Sequence, residues 1–247
     1  MAKVYGGESK SIIDKKEKNR FRILSFIGIT VFLIFVYFYY IRLFLVLSWW
    51  ISLILLLGWI SVFKLLFTLL DKSRIGFFSA LNGLDGEMIV RRELAKLPNE
   101  YVVFHGLKLR EPYDVDFVVV GPTGIFAIDA KSHRGRMGYD GEELTRDGNR
   151  LEKNILFQTM SEALDVHTFL LSELQREYFV KPVIVFSSSW ARISFGNNDK
   201  KGVCVIGKKW LRKIIIENDA EKLSREALHA IEEVLRKKEK RNVQVEK

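Results

Sequence analysis

The sequence predicts a mixed α/β domain, with helices packed on a central sheet, preceded by two transmembrane helices. Three observations carry this. Two long uncharged runs stand near the start, strand-length apolar segments and helical periodicities follow Asp71, and those later elements come in the order α-β-β-β-β-α-β-β-α.

The first run is Ile23 to Ile41, 19 residues without a charge, and after a lone Arg42 the second, Leu43 to Phe63, has 21. At 1.5 Å rise per residue each reaches about 30 Å, the thickness of a bilayer's hydrocarbon core. Core helices keep a polar edge, and these do not. A cleaved signal peptide has a shorter apolar run and a small-residue site after it, and no such site follows here. Trp49, Trp50 and the tyrosines at 37, 39 and 40 suit an interface near the short turn. Lys10, Lys15, Lys16, Lys18, Arg20 and Arg22 precede the first run, while Lys64, Lys72 and Arg74 follow the second. The positive-inside rule then places both termini in the cytoplasm. This reading makes 1–22 a basic cytoplasmic segment and 23–70 a two-pass hairpin in the cell (inner/plasma) membrane, with the lipid bilayer as a partner. A transporter is disfavoured, because the spans hold no acid.

The formal charge of +9 divides unevenly. Residues 1–75 hold 11 Lys+Arg against 4 Asp+Glu, a balance of +7, which leaves 28 against 26 for residues 76–247. The basic character therefore belongs to the membrane flank, where it meets anionic lipid, and is no sign of nucleic-acid binding. The single Cys204 allows no intrachain disulfide, in keeping with a reducing compartment.

In the remainder, 78–97 is predicted as a helix from the spacing of Val90, Leu94 and Leu97, with Pro98 as its stop. Tyr101 to Leu107 is a strand. Asp114 to Val120 and Ile125 to Lys131 are hairpin arms around Gly-Pro-Thr-Gly. Asp-Gly pairs at 140–141 and 147–148 mark further turns. A helix over about 152–177, strands at 181–188 and 202–207, and a charged amphipathic helix over 220–240 complete the chain.

The hairpin carries the chemistry. With Val120 opposite Ile125, Val118 faces Ala127, Asp116 faces Asp129 and Asp114 faces Lys131, all on one side of the sheet by the period of two. Directly opposed like charges destabilise a strand pair. Two readings account for them: a shared divalent cation, since Mg²⁺ takes one or two carboxylates and completes its shell with water and phosphate oxygens, or an Asp114–Lys131 salt bridge with the aspartates hydrogen-bonded locally. Glu87 extends the apolar stripe 90, 94, 97, and an acid on a buried helix face is unusual unless paired or metal-bound. The macrodipole at a helix start would also favour it there. His105, His133, His167 and His229 are scattered without ligand spacing and read as surface or hairpin positions. GLDGE lacks the Lys-Ser/Thr of a phosphate-binding loop, and Ser187–Ser189 lacks the glycines of a nucleophile elbow.

GLDGE (83–87), DVDFVVVGPTGIFAIDAKSHRGRM (114–137) and Asn154 followed by Gln158 resemble the NERD domain, a nuclease-related domain. Its motifs place that family in the PD-(D/E)xK superfamily of metal-dependent nucleases. The resemblance covers roughly 78–190, leaving 191–247 as a C-terminal strand and helix that complete the domain. It implies a restriction-endonuclease-like mixed sheet flanked by helices. It also implies roles: Glu87 as the helix acid, Asp116 as the first motif aspartate, Asp129 with Lys131 as the (D/E)xK pair, and Gln158 as the glutamine on the following helix. Asp129 stands where the family usually has Glu, and Ser132 where Asn commonly follows the lysine. The implied function is a membrane-anchored, Mg²⁺-dependent (or Mn²⁺-dependent) nuclease acting on nucleic acid, DNA ahead of RNA. Asp116, Asp129 and Glu87 would hold the metal, and Lys131 would position water or stabilise the oxyanion. Gln158 or Asn154 would orient Lys131 or a phosphate, or else be ordinary polar positions. The rival is a tethered nucleic-acid-binding or scaffold module without turnover.

Overall fold

The computed structural model describes residues 1–6, 86–110, 113–196 and 199–245, with isolated positions 24, 25, 28, 31, 57, 58, 61 and 64. Those isolated positions are helical, and the rest of the two apolar runs lies outside the described residues. Among the described residues no helix is long and apolar enough to cross a membrane. The chain divides into two units, Met1–Ser9 with Asn82–Lys247, and Lys10–Leu81. Every described strand belongs to the first.

In chain order that unit comprises β1 (Lys3–Tyr5), α1 (residues 86–94), β2 (Val102–Arg110), β3 (Tyr113–Gly121) and β4 (Gly124–Lys131). The short strands β5 (Gly135–Tyr139), β6 (Leu144–Arg146) and β7 (Asn149–Arg150) precede α2 (Ile155–Leu174). Then come β8 (Val180–Phe186), β9 (Ala191–Ile193), β10 (Asp199–Lys200), β11 (Val203–Gly207), α3 (Leu211–Ile216) and α4 (Arg225–Val245). Seven strands make one mixed sheet in the order β1-β2-β3-β4-β8-β11-β10, and β7-β6-β5-β9 make a smaller one. The expected mixed sheet flanked by helices is thus present. The Asp-Gly region is more than turns, because β5 pairs in parallel with the distant β9.

The β3–β4 hairpin has the expected register, with Val120 opposite Ile125 and Val118 opposite Ala127. Its turn is tight because Tyr101 lies on Gly121, where a Cβ would fall 2.1 Å from the ring. The Tyr101 hydroxyl meets Thr123 Oγ1 at 3.1 Å, which fixes the ring there. On one face Val118, Val120, Ile125 and Ala127 pack against Ala163, Val166 and Leu170 of α2 and Ile231 and Leu235 of α4. On the other, Phe117, Val119, Phe126 and Ile128 meet Val90 and Leu94 of α1 and Leu211 and Ile215 of α3. Removing each such aliphatic side chain from water contributes about 2 kcal/mol. Strands β4 and β8 are parallel, joined through α2, which lays that helix across the end of β4. Helix α2 starts at Asn154, whose side chain accepts the Phe157 N–H at 3.0 Å, and stops at Gln175 in the left-handed conformation. A short edge strand was not foreseen: β1 runs parallel to β2, with Tyr5 stacked on Phe104 at 5.4 Å.

Candidate active site

The β3–β4 ladder ends at Phe117 opposite Ile128, one pair short of the two aspartates. Beyond it, Asp116 Oδ2 accepts the Ala130 N–H at 2.8 Å. The expectation that Asp116 shares a face with Val118 needs correcting. Val115 packs in the same cluster as Val118 and Val120, while Phe117 packs in the opposite one, so the alternation breaks at Asp116. On β2, Gly106 lies across from this point, between the pairs His105–Phe117 and Leu107–Val115. Its φ of +63° is open to glycine at little cost and lets β2 follow the change of face. The Asp116 carboxylate is thereby turned toward β4 rather than onto α2.

Asp129 and Lys131 point to the α2 side. Asp129 is 1% exposed, and Lys131 Nζ sits 2.8 Å from its Oδ1. Thr159, on α2, places Oγ1 3.0 Å from Asp129 Oδ2 and 2.8 Å from the Ile155 carbonyl, so its single proton serves either. Lys131 therefore pairs with Asp129 rather than with Asp114. One turn further along α2, Glu162 is 7% exposed, its Oε1 accepts the Gln158 amide at 2.8 Å, and its Oε2 is buried without a hydrogen-bond partner among the described residues. Gln158 thus holds Glu162, and Asn154 is the cap of α2, also donating to Glu143 at 3.0 Å. Neither carries Lys131, as the sequence had suggested they could.

Glu87 comes from α1 on the other face. Its Oε2 lies 3.3 Å from His105 Nε2, and the His105 ring packs against Phe117 at 4.8 Å. His105 is buried, not a surface histidine. His133 also borders the site: burial, then Lys131 and Arg146, push its pKa down.

The electrostatics follow from this crowding. Burial first, then Asp129 and Glu87, raise the Asp116 carboxyl well above the usual range, against the opposing Ala130 N–H and Lys131. Burial raises Glu162 to about 7, and Asp129 adds to the effect. For Lys131 burial acts downward, but Asp129, Asp116 and Glu162 outweigh it and raise its pKa, so it stays protonated. The arrangement is a crowded carboxyl cluster, faced by the Lys131 ammonium, in which burial and mutual repulsion favour protonation of Asp116 and Glu162.

Residues 82–187 match the family model of NERD, the nuclease-related domain. No curated protein and no solved structure matches the chain significantly.

The NERD match runs from the residues before α1 to the residue after β8, and so takes in Glu87, Asp116, Asp129, Lys131, Thr159 and Glu162. Nuclease-like domains commonly use divalent metals, and the chemistry here suits one. The donors are carboxylate oxygens, and burial, with Asp129 and Glu87 adding, pushes the Asp116 carboxyl toward protonation. Asp129's two oxygens keep lone pairs beyond those given to Lys131 and Thr159. Among the described residues no three His, Cys, Asp or Glu side chains are grouped to hold a metal, so the described carboxylates do not make a closed protein cage for an ion. Three residues of the matched segment that the sequence did not single out are His105, Thr159 and Glu162. Only Glu162 left a signal, an acid inside the buried stripe Ile155, Thr159, Glu162, Val166 and Leu170 of α2.

Proposed function

We propose that this chain is a metal-dependent nuclease that hydrolyses phosphodiester bonds of nucleic acid, DNA ahead of RNA. The observation that carries the reading is the Lys131 Nζ–Asp129 Oδ1 pair at 2.8 Å, beside Asp116, within a segment matching a nuclease-related domain. Asp116 and Asp129 would hold Mg²⁺ or Mn²⁺, with Glu87, tied to His105, completing the inner or outer shell. When bound, such an ion supplies a water of lowered pKa and offsets charge at the phosphate.

The chain's own residues do the rest. Lys131, paired with Asp129, would position the attacking water or stabilise the developing oxyanion. Thr159 fixes the Asp129 carboxylate, the Ala130 N–H fixes Asp116, and His105 holds Glu87. Gln158 acts one step removed, through Glu162. The test is cleavage of labelled DNA and RNA with and without Mg²⁺, using Lys131→Ala and Asp129→Ala. Each variant is expected to lose about 100-fold or more in rate. Cleavage that survives both would sink this site, and no cleavage of any nucleic acid would favour a scaffold without turnover.

The domain is proposed to be held at the cell (inner/plasma) membrane by two spans over 23–41 and 43–63, with both termini and the domain cytoplasmic. The charge-free lengths and the lysine-rich flanks support this. So does the exposure of Leu24, Val31 and Leu57, apolar side chains on helical positions. Sedimentation with membranes, resistant to alkaline carbonate and abolished by deleting 23–63, is the expected behaviour. Release by carbonate would refute the anchor.

A further inference from the structure

Beside the Lys131 end of β4 lies a pocket of about 230 Å³ with a hydroxylated and cationic wall, formed among others by Ser132, Arg134, Ser187, Ser189, Trp190 and Lys208. It adjoins the candidate site through covalent and hydrogen bonds. Ser132 follows Lys131 in the chain, and Ser187 donates to the Lys131 carbonyl from its N–H at 3.0 Å and its Oγ at 3.3 Å. Gly86, which precedes Glu87, approaches so closely that a Cβ there would sit 2.8 Å from Ser187 Oγ. Two of the stretches that line the pocket, at Gly86 and at Ser132, are therefore those that present Glu87 and Lys131.

Its charge is unlike that of the carboxylate cluster next door. Arg134 is exposed and Lys208 Nζ rests on Ser189 Oγ at 2.8 Å, and neither pairs with a carboxylate among the described residues. Trp190 is 71% exposed. The backbone beneath the indole is pinned: its N–H donates to Ser188 Oγ at 3.2 Å, and its carbonyl accepts the Gly135 N–H at 3.2 Å. A large aromatic left bare on a fixed backbone adds little to packing and offers a flat face at a set position. Cations, hydroxyls and a bare aromatic together are the groups that hold a sugar-phosphate chain with an unpaired base.

We propose that this pocket binds the single-stranded segment adjoining the phosphodiester at Lys131, an assignment that rests on the nuclease reading above. Arg134 and Lys208 each meet a neighbouring phosphate, and Trp190 stacks on the adjoining base. In a duplex both faces of a base are covered by neighbours, so the Trp190 face is filled only by a single, frayed or displaced strand.

The experiment is anisotropy of the full-length protein with labelled single-stranded DNA, single-stranded RNA and a blunt DNA duplex, in EDTA so that no turnover occurs. Trp190→Ala is expected to weaken single-strand binding about ten-fold and leave duplex binding unchanged, while Trp190→Phe keeps most of the affinity. The Arg134→Ala, Lys208→Ala pair is expected to reduce the salt slope for single strands by about 1.4, at about 0.7 per phosphate contact. Whichever of DNA and RNA depends more on Trp190 identifies the sugar. Unchanged single-strand affinity in Trp190→Ala, or an equal loss on the duplex, overturns the proposal. Lys131-dependent cleavage by a protein whose affinity ignores Trp190 would remove the pocket and keep the nuclease. Trp190-dependent binding in a protein that cuts nothing with Mg²⁺ would do the reverse.

Discussion

Replacing Glu162 with Gln should flatten the pH dependence of stability. The carboxyl is 7% exposed, and one of its oxygens is buried without a partner among the described residues. Burial, with Asp129 adding, raises it from 4.5 to about 7. Between those pH values the folded protein keeps a proton that the unfolded chain has released. The stability this group contributes is therefore full below about pH 4.5 and is lost as pH rises through about 7. At about 1.4 kcal/mol per pH unit, the swing has a ceiling of about 3 kcal/mol. Gln has nearly the same shape and no proton to lose. Urea unfolding in EDTA at intervals from about pH 5 to about pH 8 measures both proteins. Glu162→Gln is expected to gain on the wild type steadily as pH rises. Parallel stability curves for the two proteins would refute the argument, because they would mean that Glu162 titrates in the fold as it does in the open chain.

Three further outcomes are expected. Lys131→Met and Asp129→Asn should each cost about 3–5 kcal/mol, because each leaves half of a buried pair, and the double variant should cost clearly less than both together; additive melts would mean the 2.8 Å pair is not formed. Gly121→Ala should destabilise by about 2–3 kcal/mol, since the new Cβ meets a Tyr101 ring tethered at Thr123, and an unchanged Tm would show that the ring can retreat. Asn154→Ala should cost about 1 kcal/mol as a lost helix cap while leaving cleavage per folded molecule intact, and a specific fall in rate would return Asn154 to the chemistry.

The hairpin was legible because register follows from local features, a short turn and a period of two, and both hold from Gly121 to Phe117. What the pattern missed is the direction of Asp116. That depends on Gly106, which sits on another strand and leaves no mark near 116. The same distance hides His105, whose tie to Glu87 joins two elements 18 positions apart. Glu162 is a different case. Ile155, Thr159, Glu162, Val166 and Leu170 form a stripe of the same kind as the one Glu87 extends, and a carboxylate in that series was readable in advance. Strand β9 could not be foreseen, since Ala191–Ile193 gains its identity only by lying beside Gly135–Met137. Nor could β1, three residues long with no periodicity to read.

That small first strand sets a rule of parity. Lys3–Tyr5 is hydrogen-bonded into the sheet that α1 covers, so the chain leaves this folded unit after β1 and rejoins it before residue 86. Any excursion through a bilayer made by the intervening residues must cross it an even number of times, whatever the lysines at its edges prefer. One span, or three, would pull β1 and β2 onto opposite sides.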